Sequence, residues 1–196
     1  APILGRTALM GGTVGISATI AAPGVIRQVG TGMTMAFGEW DGRTSPRAER
    51  FLALARSAGF HATLTDAIES AIWLKFVLLT AMSGVTGLTR RPVGELRDDP
   101  DIWALFEAVA RETEAVGRAK GVRLPPDAAE SRLRHIRETP PGVMASMAHD
   151  LVRGNRLELP WLAGKVVALG RELGVPTPAN AAILAGLKPY AMGSRG

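Results

Sequence analysis

The rhythm of hydrophobic and polar positions changes once along this chain, near Ser45. Before it, "TVGISATI" and "GVIRQVG" are short segments rich in Val, Ile and Thr, separated by the turn signal "AAPG". "MTMAFGEWDGR" reads as a third strand ending at Asp41-Gly42. Three short strands with tight connections predict an antiparallel meander or the edge of a larger sheet. From Ser45 on, the period is helical. Ser45 is placed to cap a helix with Pro46 at its first position, apolar residues recur at Ala48, Phe51, Leu52, Ala55 and Ala58, and Gly59 stops it. "FHATL" is a short strand, and Asp66 with Glu69 forms a capping-box pattern that opens a long helix. Further helices are predicted from Asp99-Pro100 to Gly121, from Pro125-Pro126-Asp127 to near Glu138, within "PPGVMASMAHDLVRG", from Pro160 to Gly174, and from Thr177-Pro178 onward. The prediction is a mainly α protein: a β-containing stretch over 1–65, then an all-helical bundle of about six helices over 66–196.

The long helix contains one anomaly. Residues 71–88, "AIWLKFVLLTAMSGVTGL", hold a single charge, Lys75. Burying an unpaired ammonium is costly, so the chain must lead this lysine to water, pair it or use it. On a helix, Lys75, Leu79, Met82, Ser83 and Thr86 share one face. The simplest role is a lysine near the helix start that snorkels to water over its aliphatic stem. In the functional alternative, Lys75 and the hydroxyls of Ser83 and Thr86 line a cleft, where partial burial suits a lysine to proton donation. A transmembrane span is the poorer reading, because the apolar run is marginal in length, Lys75 lies well inside it, and Gly84 and Gly87 weaken its far end.

Composition narrows the function classes. The 196 residues are 46% hydrophobic and 21% charged, with a mean hydropathy of +0.13, as in an ordinary globular protein. A net charge of +5 invites a nucleic-acid reading, but the basic residues are dispersed and the only tyrosine is Tyr190. An anionic small molecule suits this charge better. No cysteine is present, which excludes disulfides and thiolate metal sites, and His61, His135 and His149 lack metal-ligand spacing. No signal peptide is visible, and a cytoplasmic location is expected. The chain opens at Ala1 without an initiator methionine, so it is expected to be part of a longer protein.

Two further patterns bear on chemistry. The glycines of "GGTVG" do not fit the G-x-G-x-x-G spacing, and strand residues follow where a helix should open. In "SMAHDLVRGNRLELPWLAG", Ser146 and Asp150 are four apart on a short helix, and Glu158 follows on an extended piece. Each residue has an ordinary role open to it: Ser146 as a small packed residue, Asp150 paired with Arg153, and Glu158 as a helix-starting acid.

Taken together, "GISATIAAPGVIRQVG…FGEWDG", "AIWLKFVLLTAMSGVTGLTRRPVGEL", "PPGVMASMAHDLVRGNRLELPWLAGKVV" and "GVPTPAN" resemble, in this order, the ketopantoate reductase (2-dehydropantoate 2-reductase) family. That family's "SM…D…E…G" pattern falls on Ser146, Met147, Asp150, Glu158 and Gly164, and the lysine of its long helix falls on Lys75. The resemblance implies an NADPH-dependent reductase of pantothenate biosynthesis. Its substrate, a small 2-keto acid, would lie between a Rossmann domain and a C-terminal helical domain like that of 6-phosphogluconate dehydrogenase. Residues 1–65 would be the last strands and helix of the Rossmann domain, and 66–196 the helical substrate and dimerisation domain. Lys75 would stabilise and protonate the carbonyl oxygen, Ser146 would hold the substrate carboxylate or hydroxyl, and Glu158 would hydrogen-bond the substrate or the nicotinamide ribose. Family members often carry asparagines one and two turns after the lysine. Here those positions are Leu79 and Ser83; Ser83 can still donate a hydrogen bond to substrate, whereas Leu79 cannot. That leaves room for another small 2-keto acid, and a non-catalytic helical binding or oligomerisation module stands as the alternative. The glycine-rich phosphate loop is absent from the sequence, so these residues alone are expected to bind NADPH poorly. A homodimer is the one protein partner expected; nucleic acid and membrane are not.

Overall fold

Pro23 and Gly24 make the first turn of the sheet. With proline before it and φ at +76°, Gly24 takes the left-handed position of a tight turn that a side chain would strain. The turn joins β1 (Gly11–Ala22) to β2 (Val25–Gly38) as an antiparallel pair running from Gly11↔Gly38 to Ala22↔Val25. The computed structural model describes residues 3–193, with backbone alone at 6 and 29–31, and divides into two compact units between Ile72 and Trp73.

In the first unit the two strands expected after the turn are one. β2 runs unbroken for 14 residues and ends at Gly38, short of the expected Asp41-Gly42. The 12 residues of β1 supply a partner along most of that length, with register irregularities absorbed between Gly15 and Ser17 and between Ile20 and Ala22. The arrangement is not a meander. Helix α1 (Pro46–Ser57) carries the chain back so that β3 (His61–Leu64) pairs parallel to β2, from Thr34↔His61 to Phe37↔Leu64. Parallel return requires such a crossover, whereas a meander needs only tight turns. Strand order is β1-β2-β3. Phe37, Ala48, Ala55 and Ala62 form the buried centre, and Phe51 meets Phe37 edge-on at 4.8 Å. The predicted start of α1 holds: the Ser45 hydroxyl accepts the Ala48 N–H at 3.3 Å, and Pro46 is the first helical residue.

Helix α2 (Ile68–Thr89) begins in the first unit and continues into the second. The rest of the second unit is α3 (Val93–Leu96), α4 (Pro100–Ala119), α5 (Ala128–Glu138), α6 (Ser146–Arg153), α7 (Ala163–Leu173), α8 (Pro178–Leu187) and a closing 3-10 turn at Lys188–Tyr190. The expected mainly α class is observed, with α3 a single added turn. Helix α7 starts three residues after the expected Pro160, because Glu158 and Trp161 close a backbone turn at 2.9 Å first.

Helix α2 is long and apolar enough to cross a membrane by length and composition, but its apolar sides are used inside the second unit. Trp73 donates its indole N–H to the Thr113 carbonyl at 3.1 Å and lies against Gly117 of α4, where any Cβ would strike the indole nitrogen. Further along, Gly84 and Gly87 let Ile183 and Leu187 of α8 approach the helix backbone. Val77, Val85, Phe106, Leu133, Ile136 and Ile183 are fully or almost fully buried in the common core. Burial of side chains of this size contributes roughly 1.5–3 kcal/mol each, so the helical unit is held mainly by apolar packing.

Candidate functional site

Anchoring of Trp73 to α4 fixes the helical phase of the residues that follow. Lys75 is half-buried, Leu79 is 37% exposed, and Ser83 is 3% exposed. The Thr86 hydroxyl donates to the Met82 carbonyl at 2.7 Å and accepts the Ala145 N–H at 3.4 Å; Thr86 is fully buried. Thr80 bonds back to Phe76 in the same way at 2.7 Å. The expected shared face exists, but its far end is not a cleft lining. Depth within the bundle, which a helical wheel does not report, turns Thr86 into an internal fastener and sinks Ser83.

That fastener positions Ser146. Ala145 is the residue before α6, and Met147, only 1% exposed, brings its methyl against Gly87. Ser146, between them, is the first residue of α6 and is exposed. The bond to Ala145 thus brings Ser146 to the last third of α2, about one turn beyond Ser83. Lys75 lies 11 residues before Thr86, about 16 Å away along the axis at 1.5 Å per residue. Ser83, Thr86 and the start of α6 thus lie together near one end of α2, with Lys75 nearer its start.

Asp150 does not pair with Arg153 as expected. It accepts from the Asn155 side-chain amide at 3.1 Å and so closes the end of α6, where Gly154 takes φ +70°. Gly164 is needed for space, since a Cβ there would lie 3.1 Å from the Leu159 carbonyl oxygen. Glu158 is exposed between Leu157 and Leu159, whose 1% and 0% exposures fix the strand-like alternation that turns the carboxylate outward. Within the quoted pattern, then, Met147, Asp150 and Gly164 serve the fold. Ser146 and Glu158 are left accessible to a ligand.

The "GVPTPAN" segment is structural as well. Thr177 makes no side-chain cap; instead Glu112 of α4 accepts the Ala179 and Asn180 N–H groups at 2.8 and 2.9 Å and the Asn180 side-chain amide at 2.8 Å. No local pattern points to Glu112, because the cap comes from 68 residues away.

A pocket of about 590 Å³ opens in the first unit where β2 leads into α1, lined by Glu39, Trp40, Asp41, Arg43, Ser45 and Arg47 among others. None of the candidate site residues Lys75, Ser83, Ser146 and Glu158 lines it. Arg47 grips Glu39 through two bonds of 2.6 and 2.7 Å, Ser45 donates to Glu39 at 2.6 Å, and Arg43 pairs with Asp41 at 2.8 Å. The Arg47 and Ser45 hydrogen bonds hold the Glu39 carboxyl down at about 2.

This β2–α1–β3 crossover is also the place to look for a dinucleotide phosphate cradle. It does not fit one. Ser45 already occupies the start of α1, a carboxylate stands beside it, and the connection contains only Gly42. Among the described residues, no three His, Asp or Glu side chains converge to hold a metal ion.

Comparison with known proteins agrees with a chain whose α/β unit is followed in sequence by a helical one. Residues 67–191 match the family model described as ketopantoate reductase PanE/ApbA, C terminal. The chain belongs to the ketopantoate reductase family. It is 34% identical over 176 residues to the 2-dehydropantoate 2-reductase of Archaeoglobus fulgidus, covering 90% of this chain and 58% of that one. The crystal structure of a PanE/ApbA family ketopantoate reductase from Ralstonia eutropha JMP134 superposes with a TM-score of 0.82 at 31% identity, covering 93% of this chain and 59% of that one. A D-mandelate dehydrogenase solved with NADH shares the fold at a TM-score of 0.83 and 18% identity, covering 93% of this chain and 62% of that one. The chain thus spans somewhat over half the length of the relatives it matches.

Proposed function

We propose that this chain is the acid-binding and proton-donating part of an NADPH-dependent 2-keto acid reductase, with 2-dehydropantoate as the reference substrate. The observation that carries the reading is the division within the family pattern: Met147, Asp150 and Gly164 are consumed by the fold, while Ser146 and Glu158 remain accessible and Lys75 is half-buried. The first unit corresponds to the end of a Rossmann domain and the second to the substrate and dimerisation domain. Cytoplasmic location is part of the same proposal.

The chemistry follows from those side chains. A nicotinamide cofactor supplies the hydride when bound; its phosphates are held by chain other than the residues described. Lys75 directs its ammonium at the carbonyl oxygen, stabilises the charge that develops there and delivers the proton that makes the hydroxyl. Ser146 donates a hydrogen bond to the substrate carboxylate at the exposed start of α6. Backbone N–H groups in that first turn favour an anion, because Ala145 has no side chain with which to cap them. Glu158 accepts from a substrate or ribose hydroxyl. Ser83, being buried, contributes by shaping the helix face or by donating to substrate only at its edge.

The test is NADPH oxidation by the full-length protein in the presence of 2-dehydropantoate and related 2-keto acids, with Ser146→Ala in parallel. The proposal expects turnover of at least one 2-keto acid and a KM raised roughly tenfold or more in the variant, the worth of a hydrogen bond to a charged group. Full-length protein that binds NADPH yet reduces no 2-keto acid would overturn it.

A further inference from the structure

We propose that Gly94 of α3 is a positioning residue for the substrate carboxylate, acting through the turn at 140–143 on Ser146. The proposal rests on the reductase reading above and concerns what sets Ser146 in place. Helix α3 is a single turn that Pro92 leaves without a side-chain cap. Its first N–H groups, which a helix cannot satisfy internally, are taken up by the 140–143 turn. Val93 donates to the Val143 carbonyl and Gly94 to the Pro141 carbonyl, both at 2.9 Å. The turn itself is closed by the Val143 N–H on the Pro140 carbonyl at 3.1 Å, and two consecutive prolines stiffen it. Gly94 admits this approach because it has no side chain. A Cβ there would lie 2.7 Å from the Pro141 Cα and 2.8 Å from its carbonyl oxygen, and backbone cannot swing aside as a flexible side chain does.

Ser146 follows Val143 closely, and the ties continue on both sides of it. The Ala145 N–H is held by Thr86, and the Met147 methyl rests against Gly87. Helix α6 makes no side-chain cap of its own, so these outside contacts locate its start. They bracket one exposed hydroxyl, that of Ser146. Core packing has no use for fixing an exposed serine. A ligand contact does, since a misplacement of about 1 Å costs up to about a hundredfold. A side chain at residue 94 pushes the turn away from α3, and the start of α6 moves with it. Because Ser146 holds the acid in ground state and transition state alike, the loss falls on KM and not on kcat.

The experiment is a double-mutant cycle in the full-length protein, read as KM and kcat under saturating NADPH. The substrate is 2-dehydropantoate or whichever related 2-keto acid turns over fastest. Gly94→Ala is expected to raise KM about tenfold while kcat changes about twofold or less. In the Ser146→Ala background the same change should add about twofold or less, because the contact it misplaces is already gone. A folded Gly94→Ala protein with wild-type KM overturns the proposal, as does a tenfold effect that persists in the Ser146→Ala background; the reductase reading survives either result. Wild-type KM in Ser146→Ala overturns the role of Ser146 and this proposal with it. No turnover of any 2-keto acid by NADPH-bound wild type overturns the reductase reading as well. Should Gly94→Ala fail to fold, Pro141→Gly loosens the exposed turn from its other side. It must then show a raised KM with the same dependence on Ser146, and a wild-type KM there overturns the proposal.

Discussion

At the scale of single residues, the site depends on which hydroxyls are available. Thr86 has no proton to spare for substrate: its hydroxyl donates back to the Met82 carbonyl in α2 and accepts the Ala145 N–H. Replacing Thr86 with Val keeps the shape and leaves that N–H unsatisfied, so we expect a stability loss of about 1–2 kcal/mol with the Ala145 amide exchanging faster. Thr86→Ser should recover most of it. Urea melts and amide exchange check this; a Val variant as stable as wild type, with Ala145 equally protected, would show that the bond does not hold α6 in place. The same residue shows the limit of sequence reasoning here. Spacing placed Lys75, Leu79, Ser83 and Thr86 on one face correctly, but a face that starts half-exposed and ends in the core has a depth gradient that periodicity alone does not encode.

Elements were legible wherever their ends are set by local chemistry. Ser45 with Pro46, Asp99 with Pro100, and the positive-φ glycines 121, 154 and 174 each act within a turn of the boundary they define. Asp99, for instance, accepts the Asp101 and Ile102 N–H groups at 3.0 Å. The parallel return of β3, the unbroken length of β2 and the Glu112 cap of α8 were not legible, because each depends on a partner distant in sequence. The loop from β2 into α1 combines both kinds of control, and it makes a prediction about pH. Glu39 titrates at about 2 in the fold, below its ordinary 4.5, because Arg47 and Ser45 hydrogen-bond its ionised form. A carboxyl depressed in this way stabilises the folded state fully above its unfolded value and loses that contribution as pH falls towards the folded one. Stability of the first unit should therefore decline between about pH 4.5 and pH 2, and Glu39→Gln should flatten that part of the profile. Identical acid profiles for wild type and variant, followed by circular dichroism on melting, would remove Glu39 from the account.

For the molecule as a whole, the division of labour follows from what the two units contain. The first has a parallel crossover whose β2–α1 connection is filled by its own ion pair and cap, so that connection does not fit a phosphate cradle. The second has the half-buried lysine, with Ser146 and Glu158 accessible. Family membership is established by the match over 67–191, while the chain spans only 58% of its Archaeoglobus relative. What the reading asks of Lys75 is definite: it must act in the transition state at the carbonyl oxygen, not merely in substrate binding. The most direct measurement is kcat for reduction of the preferred 2-keto acid by the full-length Lys75→Ala variant under saturating NADPH and acid. Loss of a positioned proton donor predicts a fall in kcat of about a hundredfold or more with the fold intact. A variant that keeps wild-type kcat would contradict the assignment and leave Lys75 outside the chemistry.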